Sequence, residues 1–86
     1  MDRTFNTAIE ARDIIGDLRI QLKRLPYNPD LLKLCNNIGE MNSQLSRLEV
    51  EARRTRKTLK VDAHKEDLTK AIKHLENLIL MAKLMA

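Results

Sequence analysis

Apolar residues recur along the chain in three successive series, spaced three and four residues apart as one face of a helix requires. The strongest runs through Leu31, Leu34, Ile38, Met41, Leu45, Leu48, Ala52, Thr55 and Leu59, an unbroken heptad seam that needs a second helix along it. Ahead of it, Ala8, Ala11, Ile15, Leu18, Leu22 and Leu25 form another seam, widened by Phe5, Ile9 and Ile14. Behind it, Leu68, Ile72, Leu75, Ile79 and Ala82 continue in a different phase, because Glu66 falls where the earlier register requires an apolar residue.

Punctuation between the series sets the boundaries. The first helix is expected from about Thr4 to about Arg24, stopped by Pro26, which disfavours helical geometry in Leu25. Asn28 suits an N-cap and Pro29 a first helical position, while Asp30 places a negative charge at the positive end of the dipole. The second helix then runs from Pro29 to near Lys57, about 40 Å at 1.5 Å per residue. No Gly or Pro marks the next break, which the change of phase places at about 58–62, with Asp62 capping a third helix over about 63–85.

The pattern predicts an all-α fold, a single helical domain over 1–86 made of an antiparallel hairpin plus a third helix. It closes either as a three-helix bundle or as a coiled-coil-like oligomeric bundle. Cys35, Asn37, Asn42, Gln44 and Thr58, flanking the second seam, are uncharged and lack the interhelical salt bridges that select a coiled-coil partner. An intramolecular bundle explains this better than a free parallel dimer. Asn36, Asn37, Asn42 and Ser43 read as a polar outer face.

Composition narrows the picture further. Aromatic residues make up 2% of the 86 residues, so the core must be built from Leu, Ile, Met and Ala. A chain of this length buries a modest core, and a second copy or a partner would add stability. The formal net charge of +4 gives a weak general pull towards anions. Cys35 is the lone cysteine, which excludes an internal disulfide and favours a reducing, cytoplasmic setting. Met1 to Thr7 lack the apolar core of a leader, and no stretch has the length of a membrane span, so a soluble chain is expected.

Two surfaces are candidates for binding. The segment from Leu75 to Met85 is apolar nearly all round, and Leu80, Met81 and Leu84 fall outside the seam, in excess of what an intramolecular core uses. Leu78, Leu80, Met81, Leu84 and Met85 are therefore the expected partner-binding residues, the methionines supplying an adaptable contact. Their occupant is either a second copy or a larger protein partner. The other surface is basic: Arg53, Arg56, Lys57 and Lys60 recur at helical spacing, with Arg54 beside them, and read as one stripe on the exposed flank of the second helix. Such a stripe would hold polyanion phosphates, although a solvated face near a helix C-terminus explains the same cations.

Chemistry of the chain's own is not indicated. His64 and His74 share no carboxylate or cysteine at chelating spacing, so they read as solvated or capping residues and not as a metal site. Cys35 beside the seam reads as a small hydrophobe. Asp13 with Asp17, and Glu66 with Asp67, lack a pocket-forming context. Tyr27, between two prolines at the hairpin tip, reads as a cap on the core, with partner anchoring as its other use. No catalytic residue, cofactor or metal is expected. The expected function is that of a small non-enzymatic protein-interaction module, an adaptor, assembly factor, chaperone-like protein or inhibitor, working through its apolar C-terminal helix. The alternative is a nucleic-acid-binding or regulatory helical protein using the Arg53–Lys60 cations.

Overall fold

A computed structural model of the protein describes residues 4–85; Asp2 and Arg3, part of the segment read above as unlike a leader, lie outside it. Its described residues form three helices, α1 (Ala8–Lys23), α2 (Pro29–Thr55) and α3 (Leu59–Met85), packed up-down-up as an elongated three-helix bundle of 48 × 22 × 17 Å. Among the described residues there is no strand, and no helix is long and apolar enough to cross a membrane. α1 and α3 both pack along α2 and meet each other more sparsely.

The first turn of α1 is set by a local exchange of side-chain bonds. Thr7 is extended and its hydroxyl accepts from the Glu10 N–H at 3.3 Å, while the Glu10 carboxylate accepts from the Asn6 N–H at 2.8 Å. This capping arrangement starts the helix at Ala8, later than the Thr4 expected from the apolar series. Phe5 is nevertheless buried in the core ahead of the helix. At the hairpin turn, the Asn28 side chain accepts from the Asp30 and Leu31 N–H groups at 3.1 and 3.3 Å, with Pro29 opening α2 as expected.

The second break lies earlier than the phase change suggested. α2 ends at Thr55, not near Lys57, because Arg56 turns into the left-handed region (φ 59°, ψ 26°) and donates its N–H back to the Ala52 carbonyl at 2.7 Å. α3 then begins at Leu59, not near 63. Asp62 is therefore a first-turn residue and not the cap; its N–H donates to the Thr58 carbonyl at 2.9 Å.

Ala8, Ala11, Ile15, Leu18 and Leu22 of α1 and Leu68, Ile72, Leu75 and Ile79 of α3 are buried along their expected seams. Ile9, expected to widen the first seam, is exposed. The buried line of α2 is rotated from the expected one: Leu31, Cys35, Ile38, Asn42 and Leu45 are buried, whereas Leu34, Met41 and Leu48 are half-buried to one side. A helix wedged between two neighbours turns the line between them inward and gives each neighbour one flank. The seam also stops short of its expected end, as Thr55 and Leu59 are exposed.

Asn42 is the chief departure. Expected on the outer polar face, it is only 8% exposed, and its Nδ2 donates to the Ala8 carbonyl at 3.0 Å. Seven residues on, the half-buried Glu49 carboxylate accepts from the Ala8 N–H through both oxygens, at 3.1 and 3.2 Å. Two polar side chains of α2 thus hold both backbone groups of one α1 residue. The second bond also places a negative charge at the positive end of α1.

Candidate functional site

One end of the bundle gathers the end of α1, the proline turn, the first turn of α2 and the last turn of α3. Because Pro26 and Pro29 hold the connection away from a continuous helix, a cleft of about 540 Å³ opens there. Its walls are mostly apolar, among them Leu22, Leu25, Tyr27, Leu31, Ala82 and Met85. The end of α3 is tied alongside α1: Lys83 Nζ donates to Gln21 Oε1 at 2.8 Å, and Gln21 Nε2 donates to Asp17 Oδ2 at 3.2 Å.

The expected partner-binding residues divide here. Leu78 is half-buried and packs against the core. Leu80 and Met81 are 56% and 57% exposed, and Leu84 and Met85 reach 79% and 85%. Pairs four residues apart share a face, so the last two turns of α3 present an apolar ridge whose final residue, Met85, is also a wall of the cleft. Tyr27 is exposed and lines the same cleft. Leu22, Leu25, Leu31 and Ala82 also form the walls, a role not expected from their sequence positions. Their signal was present, since they are the ends of all three seams, brought to one place by the turn.

The opposite end carries the cations. Arg53, Arg54, Arg56, Lys57 and Lys60 are all exposed, and none forms an ion pair or side-chain hydrogen bond with a described residue. They do not form a stripe on one helix, as the spacing suggested. Arg53 and Arg54 close α2, Arg56 and Lys57 stand in the connection, and Lys60 is in the first turn of α3, so the cations cluster around a knuckle.

The remaining candidates are occupied in the packing or lie apart. His64 Nε2 lies 2.7 Å from the Met41 carbonyl oxygen, which only accepts, so this nitrogen carries the proton and donates. His74 is exposed, on the face of α3 away from the core. Cys35 is buried between helices as a free thiol. Glu66 bonds Lys70 at 3.5 Å on the surface of α3. Among the described residues no three His, Cys, Asp or Glu side chains converge as metal ligands. Comparison with protein families, with characterised proteins and with solved structures found none that matches this chain.

Proposed function

We propose that the chain is a small non-enzymatic helical interaction module whose working surface is the apolar end formed by the α3 ridge and the neighbouring cleft. The observation that carries this reading is the exposure of Leu80, Met81, Leu84 and Met85 together, beside an apolar cleft that one of them lines. Scattered surface apolar residues need no partner, but a contiguous ridge and cleft expose area whose burial drives association.

The occupant is a second copy of the chain. A helix end that presents an apolar ridge next to an apolar cleft carries both halves of a two-fold contact, because each copy's ridge meets the other's cleft in the same operation. A larger protein offering an amphipathic helix would use the same surface. The assignment of no catalysis is supported by Cys35 being enclosed and by His64 being committed to a backbone carbonyl. The test is Leu80→Asp with Leu84→Asp, two exposed positions where charge leaves the core intact. Light scattering should give a dimeric or larger mass for the wild type and a monomeric mass for the variant, with equal helical content. Equal masses for the two proteins would remove the reading.

A further inference from the structure

The knuckle between α2 and α3 has properties that the folding of this chain does not explain. Residues 53–60 hold five cations and no acid, and all five are exposed. Arg53 and Arg54 suit the negative end of the α2 dipole, as any helix C-terminus would favour. The other three do not follow from local physics. Arg56 occupies a left-handed backbone position at which glycine is the ordinary residue, and it is the one non-glycine among the described residues with a positive φ. Lys60 stands in the first turn of α3, where the dipole disfavours a cation. Lys57 adds a third positive charge between them, where repulsion among neighbours raises the free energy. Local rules broken together, with no compensating partner among the described residues, mark positions that serve something outside the fold.

We infer that this knuckle binds the phosphate backbone of duplex nucleic acid. Three of the five cations are arginines, whose planar guanidinium engages two phosphate oxygens at once. The nearest acids along the chain are Glu51 and Asp62, one on each flank, so the run between them carries positive charge alone. Glu49 is turned inward onto Ala8 and does not neutralise it. The knuckle lies at one end of an elongated molecule of 48 × 22 × 17 Å, where a rod-like polyanion can approach it end-on. A lipid surface fits less well, since adsorption there needs an apolar face to bury together with the charge, and Leu59 is the lone large apolar side chain among residues 53–60. Contacts to phosphates carry no sequence information, so the binding expected here is independent of sequence. This site lies at the opposite end from the apolar ridge and stands whether or not that ridge is an interface.

The experiment titrates the full chain into a labelled DNA duplex of random sequence and follows anisotropy as salt is raised. With about five phosphates neutralised, the logarithm of the association constant should fall against the logarithm of salt with a slope of about −4.5. Arg53→Glu with Lys57→Glu should abolish binding while leaving helical content unchanged. Arg56→Gly separates charge from folding: it removes a cation yet supplies the residue the backbone prefers. Its denaturation midpoint should be equal or higher, and its salt slope shallower by about one. Four results would overturn the inference: no binding at low salt, binding insensitive to salt, an unchanged slope for Arg56→Gly, or tighter binding to phosphatidylserine vesicles that Leu59→Asp abolishes.

Discussion

At the scale of single residues, the packing of α1 depends on what α2 offers to Ala8. Glu49 caps the Ala8 N–H and Asn42 takes its carbonyl, so the two bonds fix the height of α1 along α2 where apolar contacts alone would allow sliding. Removing the cap with Glu49→Ala should lower stability by about 1 kcal/mol in urea denaturation, the ordinary cost of a lost helix cap. A change below a few tenths would show the bond to be idle. Asn42 behaves differently, because its Oδ1 is buried with no partner among the described residues and so costs free energy even as Nδ2 gains a bond. Asn42→Leu should leave stability equal or raise it, while broadening the NMR signals of residues around Ala8 as the register loosens. Sharp signals would assign the register to the apolar contacts instead. Asn42 was illegible as a core residue because a polar side chain at a seam-adjacent position looks the same whether one helix or two lie against it.

At the scale of elements, the three helices were legible because each carries its own apolar period, and the first turn was legible because Pro26, Asn28 and Pro29 specify it chemically. The second turn was misplaced by several residues for a physical reason: Arg56 adopts a conformation that its side chain does not advertise. The same misplacement turned a knuckle of five cations into an apparent stripe. Two glycines inside helices mark stability left unclaimed. A Cβ at Gly16 meets nothing within 4 Å, and one at Gly39 meets only the tip of Arg19 at 3.6 Å, an ordinary contact. Gly16→Ala and Gly39→Ala should each stabilise the bundle by about 0.5–1 kcal/mol, read as a higher thermal midpoint. A loss of stability in either would mean that the helix uses its glycine for flexibility or close approach to a partner.

At the scale of the whole molecule, the chain is a rod with unlike ends. One end is apolar, built from the last turns of α3 and the cleft under Tyr27, and the other is a positively charged knuckle. The excess of apolar residues on α3 was readable in the sequence, since a bundle helix needs one stripe and this one exceeds it. The cleft was not, because its walls come from two stretches of chain, Leu22 to Leu32 and the end of α3, far apart in sequence, that only the fold brings together. If both ends bind as inferred, pairing through the apolar end leaves the knuckles facing outward, so one dimer would present two polyanion sites, and its affinity for a long duplex would exceed that of a monomer by avidity. The measurement that tests the central claim most directly is the molar mass in solution, by light scattering behind size-exclusion chromatography over a wide range of protein concentration. A dimeric or larger mass for the wild type, falling to that of the single 10.0 kDa chain in Leu80→Asp with Leu84→Asp, is the expected result. A wild type that stays monomeric at every concentration would contradict self-association through the apolar end.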